Sequence, residues 1–272
     1  MKSVLFLRQT ILFVAFIILT TAASCQPADT CYKTIQVAEK TWAIVENNSV
    51  NIYVVEGNDS ALIIDTGYGT GDLKKYIRSL TKLPVIAVNT HGHEDHAGND
   101  HQFPNICAHP DDFGMINSHF EGQGKSNTIL IPIREGHIFD LGGRKLEVIE
   151  VPGHTRGSIC LLDPSHRILF AGDNTNTVVW LFLKECCPLE VYLKSLQKVE
   201  KRMEEYDIIM PGHNTPLDKT FITEQIACVK SILDGTCSPV PYNYSSFTAG
   251  AMLCKFKTAE VAYDPDNLFI KK

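Results

Sequence analysis

Residues 41 to 90 alternate between short apolar runs and turn-forming polar groups. The stretch TWAIVENNSVNIYVVEGNDSALIIDTG places β-branched and aromatic residues between turn signals at Asn47-Asn48 and Gly57-Asn58-Asp59, which predicts short strands. GDLKKYIRSL then carries apolar residues at helical spacing, with Pro84 beyond its end, and predicts a helix. VIAVNT is an unbroken apolar run followed by polar residues, so it predicts a buried parallel strand.

The same alternation of strands and helices restarts in the second half of the chain. RKLEVIEVPGH, GSICLLDPSHRILFAGD and YDIIM predict strands, and helices are predicted over Leu189 to Met203 and over Phe221 to Leu233. Two successive strand-then-helix halves predict an α/β fold, specifically a four-layer αββα sandwich rather than one parallel wound sheet. TAGAMLCKFKTAEVAYD, within residues 236–272, predicts extra strands near the end of the chain.

The first 24 residues follow a different pattern from the rest. Two basic residues precede the apolar run Ile11 to Thr21, and small residues suited to cleavage follow in TAASCQP. The apolar run is far shorter than the roughly 20 apolar residues that a membrane-spanning helix needs. Residues 1–24 are therefore predicted to be a signal peptide and residues 25–272 the mature domain. A retained membrane anchor is the alternative. The protein is expected to be exported, as a secreted, periplasmic or lipid-anchored protein, and Cys25 is the candidate for the lipid.

Composition narrows the classes of function. The chain has 272 residues, of which 44% are hydrophobic, enough for an ordinary globular core. Without the two basic residues of the leader, the 25 Lys and Arg fall to 23, against 31 Asp and Glu. An acidic chain with no basic tract lacks a nucleic-acid footprint, so a small-molecule substrate is expected. Nine cysteines in an exported chain predict disulfides, with Cys228 and Cys237 as a local pair.

The stretch NTHGHEDHAGND, which begins in the predicted strand VIAVNT, concentrates histidines. His91 and His93, two residues apart on a turn, can point to one centre, while Asp95 and His96 can serve a second. A hydrated, histidine-rich loop without metal is the alternative. The zinc-protease motif HExxH is absent, because Ala97 occupies the position of its second histidine.

Three later stretches each place a polar residue next to glycine, just after an apolar strand. VIEVPGH ends at His154, ILFAGD at Asp173 and IIMPGH at His213. Glycine permits tight turns and close backbone approach at such positions. Any one of these would be interpreted on its own as a turn histidine or a helix-capping aspartate. Together, at the ends of strands in one sandwich, they could face the histidine loop.

In the order HxHxDH, PGHTxGS, AGD and PGH, these motifs resemble the metallo-β-lactamase-fold hydrolase superfamily. The resemblance covers about residues 35–235 and leaves residues 236–272 as a C-terminal extension. It implies a first metal ion on His91, His93 and His154, a second on Asp95, His96 and His213, and Asp173 as the bridge. LIIDTG matches the opening motif of the superfamily, which implies that Asp65 fixes the histidine loop from behind the ligands.

The implied reaction is hydrolysis of an ester, thioester, lactone or amide bond. Coordination to a metal lowers the pKa of water from 15.7 to about 7, which supplies hydroxide at neutral pH. Asp95 is expected to be the catalytic residue that orients this hydroxide and carries its proton. A set of His and Asp ligands without cysteine suits two divalent ions, Zn²⁺ in preference to Fe²⁺ or Mn²⁺.

Several functions remain open within the resemblance. An aspartate in the AGD position is similar to glyoxalase-II-type thioesterases, lactonases and related esterases, although the strands predicted at the C-terminus do not match the helical domain of glyoxalase II. Export and the PGHTxGS motif keep a metallo-β-lactamase acting on β-lactams as an alternative. A mononuclear-iron sulfur dioxygenase is another, as is a non-catalytic metal-binding module.

Two further expectations concern the surroundings of the site. The segment VVWLFLKECCP either lines an apolar substrate pocket or belongs to the core, through Trp180, Leu181, Phe182 and Leu183. Glu94 is expected to point away from the metals. The remaining histidines match no motif and are expected on the surface or in packing: His101, His109, His119, His137 and His166. His109 and His119 are expected to lie nearest the cleft.

Overall fold

Strands dominate the part of the chain that the computed structural model describes, residues 31–123 and 127–271. The predicted signal peptide and Cys25 lie outside these residues. The first sheet has seven strands in sequence order: β1 (Tyr32–Ala38), β2 (Thr41–Glu46), β3 (Val50–Glu56), β4 (Ala61–Ile64), β5 (Val85–Val88), β6 (Asn105–Ala108) and β7 (Ile129–Pro132). The second sheet contains β8 (Ile138–Asp140), β9 (Lys145–Glu150), β10 (Ile159–Asp163), β11 (Ile168–Gly172), β13 (Ile208–Pro211) and β14 (Leu217–Asp218).

A smaller third sheet joins one strand of the second half to the C-terminal extension. Its order is β12 (Val178–Leu181), β17 (Ala259–Tyr263), β16 (Met252–Phe256) and β15 (Val240–Pro241). Strand β12 runs parallel to β17, and β16 pairs antiparallel with both β17 and β15. The expectation of extra strands in residues 236–272 is therefore confirmed.

The two large sheets face each other across an apolar layer. In β3, Tyr53 and Val55 enter this layer, while Ile52 and Val54 pack against the helical side of the first sheet. In β11, Phe170 enters the same layer and the next residue along the chain packs on the opposite face. Burial of both faces explains the unbroken apolar runs of these strands.

Five α-helices in the described residues accompany the sheets: α1 (Leu73–Leu80), α2 (Glu94–Ala97), α3 (Phe113–Gln123), α4 (Leu189–Glu200) and α5 (Phe221–Leu233). Helix α1 buries Leu73 and Ile77 against the first sheet. Helices α4 and α5 pack together on the outer face of the second sheet. The layers are thus helix, sheet, sheet and helix, which confirms the predicted αββα sandwich. None of the helices in residues 31–123 or 127–271 is long and apolar enough to cross a membrane.

The two large sheets are connected at the end where the predicted ligands lie. Backbone N–H of Asn51 donates to the carbonyl of Gly212 at 2.8 Å, and Val50 forms an isolated bridge with His213. Strands β4 and β5 are parallel, as are β11 and β13. Their carboxyl ends therefore meet at one edge of the sandwich, where α/β proteins usually place their sites.

Two local predictions are wrong. Cys237 is bonded to Cys254 in β16, not to Cys228, which is a buried free thiol in α5. Cys228 faces the core from the helix, whereas Cys237 follows the helix end and lies within the disulfide range of Cys254, with 6.4 Å between their Cα atoms. The helix predicted to reach Met203 ends at Glu200, and a short 3-10 helix follows over Met203–Glu205.

Candidate metal centre

All seven predicted ligands converge at the connected edge of the sandwich. His91 and His93 follow β5, Asp95 and His96 lie in α2, and the others follow β9, β11 and β13. Their donor atoms form three overlapping groups, each with all atoms within 4.8 Å of one another: His91, His93 and His154; His91, His96 and Asp173; and Asp95, His96 and His213. The first and third groups are the two ligand sets that the motifs implied.

Ring nitrogens of the first set point toward a common space. Nδ1 of His93 lies 2.9 Å from Nε2 of His154. Nε2 of His91 is buried and has no hydrogen-bond partner among the described residues. A buried nitrogen without a partner is costly unless something else binds it. A divalent cation in this space would use the lone pairs of all three rings.

The second set is organised around carboxylates. Nε2 of His213 lies 3.2 Å from Oδ2 of Asp95 and 3.3 Å from Oδ2 of Asp173. That same Asp173 oxygen is 3.7 Å from Nε2 of His154 in the first set. Oδ1 of Asp173 is 3.4 Å from Nε2 of His96 and has no hydrogen-bond partner within the described part of the chain. Asp173 therefore lies between the two sets.

The pKa values of the ligands differ between the two sets. Burial lowers the pKa of His91 well below its usual value and that of His154 to about 4, so both are neutral imidazoles, the form that binds metals. Burial also opposes charge on His213, but the Asp173 carboxylate and hydrogen bonds to Asp173 and Asp95 raise its pKa to about 10. Burial raises the pKa of Asp95, yet His96 and His213 outweigh it and lower that pKa to about 2.

Glycine at position 212 lets the PGH turn approach the ligands. A Cβ atom there would lie 2.3 Å from Oδ1 of Asp173 and 2.7 Å from Cε1 of His96. Such distances are far below van der Waals contact, so no larger residue fits without moving a ligand. The space that the ligand groups enclose thus has closely spaced donor atoms and unpartnered buried atoms, which suit metal ions.

Asp65 holds the histidine loop from behind, as the resemblance implied. Its Oδ1 accepts from the backbone N–H of Thr90 at 2.7 Å, and its Oδ2 accepts from the Thr90 hydroxyl at 2.9 Å. Oδ2 also lies 2.9 Å from Nδ1 of His96, which directs Nε2 of that ring toward the ligand groups. Asp65 adopts a positive φ of 63°, a conformation rarely used by residues other than glycine.

Two carboxylates that support the candidate ligands were not predicted from the sequence. Asp112, in the HPDDFG segment, accepts hydrogen bonds from Gly92 N and Gly157 N, each at 2.9 Å, and from the Thr155 hydroxyl at 2.6 Å. It therefore ties the HGH loop to the PGHTRG loop. Glu185 lies 2.7 Å from Nε2 of His93. Neither residue has a local signal, because each contacts a partner distant in sequence.

Two of the histidines outside the motifs, and Glu94, have the following positions relative to the candidate ligands. Nε2 of His119 lies 2.9 Å from the Gly92 carbonyl, so this histidine packs against the ligand loop. His109 is buried beside Glu150 and does not line the cavity that opens over the candidate ligands. Glu94 is exposed and lines that cavity, and it belongs to none of the three ligand groups.

Comparison with known proteins identifies the family of this chain. The family model described as "Metallo-beta-lactamase superfamily" matches residues 45–213, more than half of the chain. The chain belongs to the metallo-β-lactamase superfamily. The match ends at the last predicted ligand, so the third sheet of this superfamily member is built largely from residues beyond it.

Several curated relatives are named as thioesterases. An acyl-coenzyme A thioesterase of Gallus gallus, MBLAC2, is 29% identical over 204 residues, which are 61% of this chain and 73% of the relative. The Homo sapiens protein of the same name is 27% identical over 209 residues, with the same coverage. The atrochrysone carboxyl ACP thioesterase of Aspergillus fumigatus is 30% identical over 129 residues, 46% of this chain and 29% of that protein. These names support the assignment of this superfamily member as a hydrolase.

Solved structures of metallo-β-lactamases share the fold. The enzyme from Pontibacter korlensis aligns with a TM-score of 0.59 at 19% identity, covering 73% of this chain and 99% of that one. The mono-zinc form of FIM-1 from Pseudomonas aeruginosa aligns with a TM-score of 0.60 at 18% identity, covering 76% and 98%. At this identity the likeness shows the fold alone.

A cavity of about 970 Å³ opens over the candidate ligand groups of this superfamily member. Its floor includes five of the seven ligands: His93, Asp95, His154, Asp173 and His213. Trp180 and Leu183 line it, whereas Leu181 is buried in the core. Phe182 packs against Trp180 with 5.4 Å between ring centroids. The pocket interpretation of the VVWLFLKECCP segment therefore holds for Trp180 and Leu183, and the core interpretation holds for Leu181.

Proposed function

We propose that this protein hydrolyses acyl thioesters and esters with two divalent metal ions, Zn²⁺ in preference to Fe²⁺ or Mn²⁺. The first ion would be held by His91, His93 and His154, and the second by Asp95, His96 and His213, with Asp173 between them. Ions bound there supply a water of lowered pKa as the nucleophile and polarise the substrate carbonyl. The export of the protein remains part of this proposal.

The position of Asp173 carries the proposal. Its Oδ2 atom is within 3.7 Å of a nitrogen of the first set and within 3.3 Å of one of the second. A single carboxylate next to both sets is the arrangement that a two-metal hydrolase needs, because it neutralises part of the charge and holds the ions at one spacing.

Asp95 is suited to handle the proton of the attacking water. Its side chain lines the cavity and is 25% exposed, so it is reachable by substrate and water. The lowered pKa keeps it ionised at neutral pH. An ionised carboxylate at the floor of the cavity can orient a water by accepting its hydrogen bond and can accept its proton.

The choice of thioesters and esters rests on the relatives and on the lining. The curated relatives named above are thioesterases. The cavity walls carry apolar side chains, among them Ile35, Val37 and Val45 from the first sheet. An apolar wall beside a metal pair suits an acyl group whose carbonyl lies over the metals.

Metal analysis combined with a substrate panel tests the proposal. The purified protein is quantified for zinc, iron and manganese and then assayed on an acyl thioester, an aryl ester, a lactone, a β-lactam and a phosphodiester. Two ions per chain with turnover of thioester and ester are expected. One iron per chain without hydrolysis would favour the sulfur dioxygenase, and preferential turnover of the β-lactam would favour the β-lactamase.

The variant Asp95→Asn tests the role of the carboxylate. It keeps the shape of the side chain but removes the negative charge, so we expect loss of one ion and a fall in kcat of about 10²–10⁴-fold. Asp111→Asn, an exposed aspartate outside the cavity, is the matched control. Undiminished turnover in Asp95→Asn would contradict the two-metal proposal.

A further inference from the structure

Five aromatic side chains form one group beside the metal cavity: Trp180, Phe182, Tyr242, Tyr244 and Phe247, hereafter the aromatic cluster. Trp180 is at its centre, with ring centroids 5.4 Å from Phe182, 5.5 Å from Phe247 and 6.0 Å from Tyr244. The indole N–H of Trp180 donates to the hydroxyl of Tyr242 at 3.0 Å, which fixes the orientation of the indole.

The aromatic cluster is continuous with the metal centre. Trp180, Tyr242 and Tyr244 line the same cavity as the ligands. The backbone carbonyl of Trp180 lies 2.7 Å from Nδ1 of His154, so the residue that supports a metal ligand also begins the aromatic wall. A substrate whose carbonyl lies over the metals can therefore reach the cluster without leaving the cavity.

Part of the aromatic cluster is open to solvent. Tyr244 is 70% exposed and Phe247 is 55% exposed, although both pack against Trp180. Apolar area left in water costs about 25 cal/mol per Å² relative to its burial, so a ligand that covers these rings gains free energy. Phe247 and both tyrosines lie beyond residue 213, where the match to the superfamily ends.

We propose that the aromatic cluster is the acyl-chain subsite of this enzyme and that the C-terminal extension thereby gives it a preference for long aliphatic acyl groups. This inference rests on the proposed function. The subsite takes a flexible, uncharged chain, because the rings offer apolar surface. Among the described residues that line the cavity, Lys33 is the only lysine or arginine, so the cavity walls away from the candidate ligands offer little to a polyanionic carrier.

A chain-length series tests the subsite. The kcat/KM of the metal-loaded protein is measured for acetyl, hexanoyl and decanoyl esters of one phenol. Each methylene group buried on the aromatic cluster should raise kcat/KM by a factor of up to about four. The double variant Tyr244→Ser/Phe247→Ser should lower the ratio of decanoyl to acetyl kcat/KM by at least about tenfold. Both side chains are largely exposed, so the fold does not depend on them.

Phe269→Ser is the matched control, since Phe269 is 53% exposed and belongs neither to the aromatic cluster nor to the cavity lining. It should leave the decanoyl-to-acetyl ratio unchanged. A ratio that the double variant leaves unchanged, or that Phe269→Ser lowers equally, would overturn the subsite.

Binding of decanoate, measured by calorimetry, separates this inference from the proposed function. If the protein hydrolyses no ester or thioester but binds decanoate at least about tenfold more tightly than the double variant does, the subsite stands and the proposed function fails. If it hydrolyses acetyl esters without any preference for longer chains and does not bind decanoate, the proposed function stands and the subsite is wrong.

Discussion

Oε1 of Glu185 lies 2.7 Å from Nε2 of His93, a residue 92 positions earlier in the chain. The other ring nitrogen of His93 faces the first ligand set, 2.9 Å from His154. The carboxylate thus holds the ring with Nδ1 directed at the candidate metal site, and its negative charge makes that nitrogen a stronger ligand for a metal ion. His93 in turn lowers the pKa of Glu185 through their hydrogen bond.

We expect Glu185→Ala to weaken metal binding by about 10–100-fold, because supporting partners of metal-bound histidines contribute that much to affinity. Glu185→Gln keeps a hydrogen-bond acceptor and should lose less. Competition with a chromophoric chelator measures both affinities. Glu260→Gln, which alters a surface pair with Lys255, is the control. Equal metal affinity in Glu185→Ala and the parent protein would rule out this supporting role.

Asp112 should matter for both stability and metal binding, since it joins the two loops that carry His93 and His154. Asp112→Ala leaves the N–H groups of Gly92 and Gly157 without their acceptor, at a cost of about 1–3 kcal/mol for each unsatisfied group. Urea unfolding measures the loss. The neighbouring variant Asp111→Ala changes an exposed side chain and should stay within about 0.5 kcal/mol of the parent. A similar loss of stability in both variants would contradict the role of Asp112 in joining the two loops.

The turn at Gly212 gives a steric test of the second ligand set. In Gly212→Ala the new methyl group meets Asp173 and His96, at 2.3 and 2.7 Å from their nearest atoms, and must displace one of them. We expect the metal content to fall by one ion per chain and stability to fall by about 1–3 kcal/mol. Metal analysis and chemical unfolding measure these changes.

Gly114→Ala is the control for this substitution. Gly114 lies in α3, where an added Cβ would meet no described atom within 4 Å apart from its chain neighbours and the backbone of its own helix, and alanine is the better helix former. Its stability should be equal or slightly higher, with full metal content. Two ions in Gly212→Ala would show that the turn has more room than the structure indicates.

The sequence was sufficient for contacts that short motifs encode. His91 and His93 are two residues apart on a turn after a buried strand, so their convergence is a local property. Asp65 and Asp173 follow apolar strands directly, and strand order brings their ends together. The sandwich itself follows from runs such as β3, whose two buried faces require a layer on each side.

Contacts that depend on the path of long loops could not be predicted. Glu185 reaches His93 only because the chain after β12 turns back over the site. The Cys237–Cys254 bond depends on how β16 passes the end of α5, which no spacing rule for Cys228 and Cys237 describes. The aromatic cluster likewise requires the pairing of β12 with β17, two strands far apart in sequence.

Asp100 should make the stability of the fold depend on pH. Its carboxylate is fully buried, accepting from the Thr66 hydroxyl at 2.7 Å and from Nδ2 of Asn89 at 2.6 Å. Burial raises its pKa to about 8, with the nearby Asp65 adding to the shift and the two hydrogen bonds opposing it. A folded-state pKa above the unfolded value means that the folded protein holds this proton more tightly.

The contribution of protonated Asp100 is therefore fully present below about pH 4 and is lost as pH rises toward and through about 8. Asp100→Asn cannot ionise, so its free energy of unfolding should fall less between pH 5 and pH 9 than that of the parent. Urea unfolding across this range measures both slopes, and Asp266→Asn, at an exposed turn, should keep the parent slope. Identical slopes in Asp100→Asn and the parent would mean that Asp100 is ionised in the folded protein, with its charge balanced by the donors of Thr66 and Asn89.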